Sequence, residues 1–186
     1  MHRNPAQEQI YICLPTYNES TNLPLIVDEI SSTLPSAHIC IIDDNSPDGT
    51  GKDADQLARK DTRIHVLHRR LKQGLGRAYM DGFHHLLTRS KCRFIVQMDA
   101  DFSHPPKYLP DMLRMAESAD LVIGSRYIPG GGTINWNAMR RFISRFGSIY
   151  SRIWLGLPIG DLTGGFKVWN RDLLQTIIQY PISSGG

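Results

Sequence analysis

The sequence has no long apolar run, and this absence limits the classes of protein to which it can belong. Nowhere do about 18 apolar residues follow one another, which is the length that a membrane-spanning helix needs. The amino-terminal stretch MHRNPAQEQ also contains no apolar segment of the kind found in a signal peptide. The sequence therefore predicts neither a membrane span nor a secretory leader.

Cysteine is scarce as well. Each of the three cysteines, Cys13, Cys40 and Cys92, lies in or beside an apolar run, and their spacing is unlike that of a metal site. This pattern predicts small buried side chains in a reducing compartment. Together with the missing leader, it leads us to expect a cytoplasmic protein.

A strong excess of one charge is also missing. The formal net charge of +3 is too small to indicate a nucleic-acid partner, and we expect none. The 186 residues, of which 41% are hydrophobic and 21% charged, are typical of one soluble domain with a sizeable core.

Short apolar runs alternate with helical patterns along the chain. Strands are predicted at residues 10–14, 38–42, 64–67, 93–98 and 121–123, and helices at residues 23–34, 52–60, 76–88 and 107–118. Ser20 or Thr21 is expected to cap the first helix. Such alternation predicts an α/β fold with a mostly parallel sheet that is covered on both faces.

The run FIVQMDADFSHPP at residues 94–106 ends a predicted strand in two carboxylates, Asp99 and Asp101. In an open parallel sheet, ligands bind beyond the carboxyl ends of the strands. Spacing of i, i+2 keeps both side chains on one side of an extended chain, and two such oxygen ligands suit Mg²⁺ or Mn²⁺. The alternative is that both acids are turn or cap residues ahead of the next helix.

Two further polar segments follow predicted strands, at residues 15–19 (PTYNE) and 43–49 (DDNSPDG). Their acids would repel those of the third segment unless a cation or a donor-rich ligand lay between them. Asp44 is a candidate to accept from a nucleobase or a ribose hydroxyl, although the second segment is also a good turn sequence. The glycines of QGLG at residues 73–76 follow the wrong strand for a dinucleotide loop, and we expect them to let a helix begin close to the site. The seven histidines do not have the spacing of metal ligands.

The second half of the chain differs in charge. Residues 121–160 contain five arginines and no acidic residue: Arg126, Arg140, Arg141, Arg145 and Arg152. Several apolar residues between them keep helical spacing, so one interpretation is an ordinary amphipathic helix with a solvated basic face. The other is an anionic partner, either a substrate phosphate or a membrane surface. Arg126, just after a predicted strand, is the arginine that we expect in the site.

Six motifs occur in order: LPTYNE (14–19), IIDDNSPDGTG (41–51), QGLGRAY (73–79), MDADFSHPP (98–106), IGSRY (123–127) and DLTGGFKVW (161–169). Together they resemble the polyprenol-phosphate mannosyltransferases of the dolichol-phosphate mannose synthase type, which are inverting family-2 glycosyltransferases. The resemblance covers nearly the whole chain after Gln9. It implies a GT-A fold formed by one catalytic domain, residues 1–186. The family continues with a strand and a basic loop, so the resemblance also implies a domain truncated at its carboxyl end.

The resemblance implies transfer of mannose from GDP-mannose to a polyprenyl phosphate, with Mg²⁺ or Mn²⁺, by an enzyme that lies peripherally at the cytoplasmic face of a membrane. By motif position, the nucleotide pocket comprises Pro15, Tyr17, Glu19, Ile42 and Asp44. Asp99, Ala100 and Asp101 would hold the donor and the metal, and Arg126 the donor phosphates. Some relatives have a glutamine metal ligand at the position of Ser103, whose hydroxyl would bind through water. The catalytic candidates are Asp101, Arg126 and Asp161, with Asp161 expected to orient Thr163, Lys167 or a nearby arginine.

Three alternatives remain open on sequence grounds. The first is a polyprenyl-phosphate transferase that uses UDP-glucose or another sugar nucleotide, since the motifs define the diphosphate and the metal better than the base. The second is a phosphoacceptor receiver domain, although its acid pair should follow the first strand rather than the second. The third is a nucleotide-binding module without catalytic activity.

Overall fold

A sheet of six strands forms the centre of the structure, a computed structural model that describes residues 10–128, 154, 161 and 164–180. The strands are β1 (Ile10–Thr16), β2 (His38–Asp43), β3 (Ile64–His68), β4 (Phe94–Gln97), β5 (Leu121–Ile123) and β6 (Lys167–Asn170). Their order in space is β3-β2-β1-β4-β6-β5. Strands β3, β2, β1 and β4 are parallel, whereas β6 is antiparallel to both β4 and β5. The carboxyl ends of β1, β2 and β4 therefore meet at one edge of the sheet.

Helices connect the strands. They are α1 (Leu23–Thr33), α2 (Thr50–Lys60), α3 (Leu75–Arg89), α4 (Leu109–Ala116) and α5 (Arg171–Ile177), and a short 3-10 turn (Pro106–Tyr108) precedes α4. Within the described residues, none of the helices has the length and apolar character needed to cross a bilayer.

Apolar layers cover both faces of the sheet, as the sequence predicts. Along β1, Ile12 and Leu14 contribute to the layer that includes α1 and α4, while Cys13 contributes to the layer that includes α3. This alternation follows from the two-residue period of a strand. Cys13, Cys40 and Cys92 are buried and unpaired, which confirms the interpretation of the cysteines as small core residues.

Each of the five predicted strands is present, and the predicted parallel sheet is confirmed for β1 to β4. Strand β6 was not predicted. Its sequence KVWN contains only two apolar residues between polar ends, too few for a recognisable run. It is held by pairing with β4 on one side and β5 on the other, which are contacts that no local pattern reveals.

Two predicted helix starts are wrong. Helix α1 has neither Ser20 nor Thr21 as its cap, because it begins at Leu23 with Asn22 in the cap position and no capping bond from a side chain. A backbone turn at Glu19 replaces that cap, since its carbonyl accepts from the amides of Asn22 and Leu23 at 3.0 and 2.8 Å. The helix predicted at residues 107–118 is divided into the 3-10 turn and the shorter α4.

Three predictions concern residues outside the part of the chain that the structure describes. They are the basic amphipathic helix with Arg140, Arg141, Arg145 and Arg152, the contact of Asp161 with Thr163, and the chain end at residues 181–186.

Candidate active site

The loops that follow β1 and β2 are hydrogen-bonded to each other at the carboxyl edge of the sheet. The amide of Glu19 donates to Thr50 Oγ1 at 2.9 Å, and the amide of Ser20 donates to Asp48 Oδ2 at 3.1 Å. We call this set of contacts the loop clasp. It fixes residues 15–19, the predicted nucleotide-pocket segment, relative to the end of β2.

Asp48 is the acid at the centre of the loop clasp. Its Oδ1 accepts from the hydroxyl of Thr50 at 2.6 Å and from the amide of Thr50 at 3.0 Å. These hydrogen bonds, the one from the Thr50 hydroxyl most of all, lower the pKa of Asp48 to about 2. Asp48 therefore connects the two loops as a carboxylate.

Asp44, at the end of β2, forms a buried ion pair with Arg69. The same guanidinium donates to Asp81 at 2.8 Å and to Gln73 at 3.0 Å, so each of its three nitrogens has a partner. Arg69 follows β3 directly and was not predicted. Its signal in the sequence is indirect: two adjacent acids at the end of a buried strand require a buried cation, because an unpaired carboxylate there would be costly.

Asp43 has a different role from its neighbour. Its Oδ1 accepts from the amide of Ser46 at 3.3 Å, and its Oδ2 lies 3.6 Å from His68 Nδ1. Gly51 packs against the same carboxylate, since a Cβ at that position would lie 2.7 Å from Oδ2. The interpretation of the second acidic segment as a turn therefore fits Asp43, whereas Asp44 is held by Arg69.

Asp99 and Asp101 lie close together beyond β4, but not for the predicted reason. The chain does not continue extended there: it bends at Ala100 and Asp101, and Phe102 has a positive φ of 61°. Asp99 Oδ1 accepts from the hydroxyl of Tyr79 at 2.6 Å, and Asp101 Oδ1 accepts from the amide of Ser103 at 3.0 Å. Their proximity results from this bend and these contacts.

Tyr79, the last residue of the QGLGRAY motif, holds Asp99 from helix α3. Burial, and then the nearby charge of Asp99, raises the pKa of Tyr79 well above its ordinary value, so the phenol keeps its proton and donates it. This positioning role was missed. Its signal was the helical spacing of Tyr79 and Phe83, which predicts a side chain that faces the sheet. A helix begins at the QGLG glycines, as predicted, with Leu75 as its first residue. Gly74 has a φ of 91° with open space around it, so its backbone conformation is what calls for glycine.

His104 lies beside the same carboxylate pair. Its Nδ1 accepts from the backbone amide of Asp99 at 2.8 Å, and its ring stacks on Phe166 with centroids 5.1 Å apart. Burial lowers the pKa of His104, while the charges of Asp99 and Asp101 act in the opposite direction. The sequence prediction, which treated the histidines together as unpromising, gave His104 no place in the site.

Arg126 and the buried Asp161 form a second ion pair at this edge, between the end of β5 and the segment that leads to β6. Asp161 Oδ2 accepts from the backbone amide of Arg126 at 3.0 Å and from its Nε at 2.8 Å. Asp161 Oδ1 accepts from Arg126 Nη2 at 2.6 Å. Both carboxylate oxygens therefore contact one arginine, and the hydrogen bonds that Arg126 donates to Asp161 raise the pKa of Arg126. The contact expected between Asp161 and a nearby arginine is present.

The other predicted pocket residues differ in accessibility. Tyr17 is half-buried, and the ammonium of Lys72 lies 3.5 Å from its ring centroid. The side chains of Pro15, Ile42 and Ala100 are buried, and Ile42 and Ala100 belong to the two apolar layers. A ligand at this edge could therefore reach these three residues only through their backbone atoms.

The residues beyond β4 fit a hard divalent cation. Only one oxygen of each carboxylate, Asp99 Oδ1 and Asp101 Oδ1, takes part in the hydrogen bonds described above, which leaves one oxygen on each for a metal. Over the described residues there is no group of three or more histidine, cysteine or acidic side chains that could hold a metal by itself. Two carboxylates completed by water and substrate phosphates are the donor set that Mg²⁺ commonly uses.

Comparison with known sequences identifies the family. Residues 11–178 match glycosyl transferase family 2. The chain is 45% identical over 178 residues to the undecaprenyl-phosphate mannosyltransferase of Micrococcus luteus, covering 96% of this chain and 73% of that protein. It is 46% identical over 184 residues to the polyprenol monophosphomannose synthase of Mycolicibacterium smegmatis, covering 98% and 69% of the two chains. The resemblance to the polyprenol-phosphate mannosyltransferases is thereby confirmed.

Comparison with solved structures identifies the fold. A mannosyltransferase from Pyrobaculum calidifontis, solved with GDP-Man and Mn²⁺, aligns with a TM-score of 0.61 at 18% identity, over 92% of this chain and 48% of that one. Glucosyl-3-phosphoglycerate synthase from Mycobacterium tuberculosis, solved with Mn²⁺, UDP-glucose and phosphoglyceric acid, aligns with a TM-score of 0.64 at 19% identity, over 90% and 58% of the two chains. The fold is GT-A-like, as predicted. The chain belongs to glycosyl transferase family 2, and the protein is a glycosyltransferase.

Proposed function

We propose that this enzyme transfers mannose from GDP-mannose to a polyprenyl phosphate, with inversion at the anomeric carbon. The observation that carries the proposal is the arrangement of charge at the carboxyl edge. The carboxylates of Asp99 and Asp101 lie beyond β4, and the guanidinium of Arg126 is fixed beyond β5 by Asp161. A metal-bound diphosphate and a phosphate acceptor together need both kinds of charge. The names of the relatives from Micrococcus luteus and Mycolicibacterium smegmatis support the same reaction.

In this proposal Asp99 and Asp101 hold Mg²⁺ or Mn²⁺, with the hydroxyl of Ser103 as a further ligand through water. When bound, the metal supplies Lewis-acid stabilisation of the leaving diphosphate. Tyr79 keeps Asp99 Oδ1 occupied through its hydroxyl, so Oδ2 would be the oxygen available to a metal.

The nucleotide lies against the loop clasp in this proposal. Tyr17 contributes its ring, and Glu19 contributes a carboxylate whose Oε2 also accepts from Asn22 Nδ2 at 2.7 Å. The Asp44 oxygen that does not bind Arg69 accepts from the base or the ribose, and the backbone of Pro15, Ile42 and Ala100 completes the contact surface. Because Arg69 binds the Asp44 carboxylate, the acid that meets the nucleotide is held in a defined position.

The acceptor reacts as a nucleophile without needing a protein base. The second pKa of a phosphate monoester such as phosphoserine is about 6, so near neutral pH the polyprenyl phosphate is largely a dianion. One of its oxygens bonds to the anomeric carbon as the bond from that carbon to the GDP oxygen breaks, and GDP leaves with the electron pair. Arg126 positions the phosphate oxygens of the donor. Asp161 holds Arg126 through both of its carboxylate oxygens.

The lipid acceptor also suggests where the enzyme works. An acid-free stretch with five arginines, residues 121–160, would favour peripheral attachment to an anionic membrane surface on the cytoplasmic side. If so, binding to vesicles with acidic lipids should weaken as salt rises, because surface charges more than about 10 Å apart are screened at 0.1 M. Equal binding to neutral and acidic vesicles would remove the membrane from the proposal.

A transfer assay with paired donors and acceptors tests the proposal. Radiolabelled GDP-mannose and UDP-glucose would each be incubated with Mn²⁺ and either a polyprenyl phosphate or the corresponding unphosphorylated alcohol. We expect labelled lipid from GDP-mannose and the phosphate alone. Product from UDP-glucose alone would show that the donor is not GDP-mannose. Product from the alcohol would show that the acceptor is a hydroxyl rather than a phosphate.

A further inference from the structure

His104 is a polar side chain at the carboxyl edge that the proposed function does not use. Its side chain is only 12% exposed, and its ring is held by stacking on Phe166 at an interplanar angle of 13°. The charges that act on it come from Asp99, Asp101 and Arg126, so the ring lies in the field of both the carboxylate pair and the guanidinium. A histidine in this position has two ring nitrogens that can serve different purposes.

One of the two ring nitrogens already has a hydrogen-bond partner. The backbone amide of Asp99 donates to His104 Nδ1 at 2.8 Å, so Nδ1 must carry a lone pair rather than a proton. The proton of the neutral ring is therefore on Nε2, because which nitrogen is protonated follows from the hydrogen bond that the other one makes. The fold thus presents Nε2–H as a donor in a fixed orientation.

The space beside Nε2 is kept open by Gly165. A Cβ at that position would lie 3.3 Å from His104 Nε2, 2.9 Å from its Cε1 and 3.4 Å from Asp99 Oδ2. Gly165 does not have a positive φ, so its backbone would accept other residues and the missing side chain is what matters. Across the described residues no hydrogen-bond acceptor meets Nε2.

From this geometry we propose that His104 is a substrate-binding residue whose Nε2–H donates to an oxygen of the bound sugar nucleotide, next to the Asp99 carboxylate. The inference rests on the proposed function, since it takes the sugar nucleotide as the ligand of this edge. It adds a neutral donor to a site that otherwise offers carboxylates and an arginine. It also gives Gly165 a reason to lack a side chain.

Two substitutions test the roles of the two ring nitrogens separately. In His104→Asn the amide oxygen can replace Nδ1 and accept from Asp99, but no donor reaches the position of Nε2. In His104→Gln the longer amide can place a donor near Nε2, but it no longer replaces Nδ1. Both variants should melt close to the wild type, and calorimetry in the presence of Mn²⁺ would measure their affinities for GDP and for GDP-mannose.

We expect His104→Asn to lose about tenfold in affinity for GDP-mannose, as for one hydrogen bond to a charged or strongly polar oxygen, and His104→Gln to lose clearly less. A loss for GDP as well would assign the contact to the diphosphate, whereas a loss for GDP-mannose alone would assign it to the sugar. Gly165→Ala places a Cβ 2.9 Å from His104 Cε1, so it both fills the gap and displaces the ring, and it should also weaken GDP-mannose binding.

The inference is overturned if His104→Asn binds both ligands as tightly as the wild type, or if both His104 variants lose affinity equally, which would mean that the ring acts only through Asp99. Failure of the proposed function has a different signature: a wild-type protein that binds neither GDP nor GDP-mannose with Mn²⁺ would overturn both proposals at once.

Discussion

Arg69 and Arg126 each hold buried carboxylates at the carboxyl edge of the sheet, and they do so in different ways. Arg126 takes both oxygens of a single acid, Asp161, in a fork-like contact. Arg69 distributes its donors over Asp44, Asp81 and Gln73. A fork-like contact fixes the plane of one guanidinium, whereas the distributed contact joins β2 to the loop and helix that follow β3. At the residue scale, Arg126 is therefore suited to the ligand contact that we propose for it, and Arg69 holds Asp44 in a defined position.

The first prediction concerns Asp161. Asp161→Asn removes the charge that holds Arg126 but leaves an amide oxygen that can still accept one of its hydrogen bonds. Because the acceptor phosphate needs no base, we expect Asp161→Asn to reduce mannosyl transfer less than Asp101→Asn does. The wild-type rate should rise through the second phosphate pKa near about 6 and then stay level. Steady-state rates between pH 5 and 9 would measure both effects.

The opposite result has a clear meaning. If Asp161→Asn abolishes transfer while donor and acceptor still bind, and the pH profile follows a carboxylate, then Asp161 acts as a base. General-base help is worth about 10²–10⁴-fold, so such a loss would be easily visible. The acceptor would then be a hydroxyl rather than a phosphate.

The second prediction concerns Arg69. Arg69→Met removes the cation and leaves Asp44 buried without its partner, which in proteins costs about 3–5 kcal/mol in the free energy of unfolding. The neighbouring Arg70 is exposed, so Arg70→Met serves as the control and should change stability by no more than about 0.5 kcal/mol. Urea denaturation followed by circular dichroism would compare the two. Equal stability of both variants would show that the ion pair with Asp44 does not support the fold.

At the scale of elements, the stability that the loop clasp contributes depends on pH. Asp48 has a folded-state pKa of about 2, below its ordinary value of 3.8. A group whose pKa is lowered by folding stabilises the protein above its ordinary pKa, and this contribution is lost as the pH falls toward the lowered value. The clasp should therefore weaken between about pH 4 and pH 2.

The third prediction follows from the lowered pKa of Asp48. Asp48→Asn lacks the charge at every pH, so it should be less stable than the wild type at pH 7. The difference between the two proteins should shrink as the pH is lowered to 3, because the wild type then loses part of the same contribution. Denaturant unfolding at both pH values measures the difference. A stability gap that is unchanged or wider at pH 3 would contradict the assignment of the low pKa to Asp48.

A helix or strand could be predicted where the sequence pattern that indicates it is local. The runs that form β1 to β5 are apolar and bounded by polar residues, so their positions follow from the sequence. Strand β6 and the contacts of Arg69, Tyr79 and His104 depend on residues that are far apart in the chain or on a bend such as that at Phe102. The motif positions of Asp99, Asp101, Arg126 and Asp161 were apparent, but the partners of these residues were visible only in the fold.

At the scale of the whole molecule, one edge of the sheet connects all parts of the proposed reaction. The loop clasp lies beyond β1 and β2, the carboxylate pair beyond β4, and Arg126 beyond β5. The antiparallel β6 lies between β4 and β5, and the segment that leads into it contains both Asp161 and Gly165. This single strand therefore connects the side of the edge that we propose to bind anions with the side that we propose to bind a metal.

The fourth prediction tests whether that edge binds a metal-bridged nucleotide. Asp101 is exposed, and an asparagine at this position can still accept from the amide of Ser103, so Asp101→Asn should keep its fold. It would lose half of the carboxylate pair proposed to hold the metal. Asp28→Asn, a change of the same kind on the exposed face of α1, is the matched control.

Calorimetric titration of GDP in the presence and absence of Mn²⁺ is the measurement that tests this most directly. The wild type and Asp28→Asn should bind GDP more tightly with Mn²⁺ than without it, whereas Asp101→Asn should show no gain from the metal. If Asp101→Asn binds GDP with Mn²⁺ as tightly as the wild type does, the carboxylates beyond β4 do not hold a metal-bound diphosphate, and the account of this site is wrong.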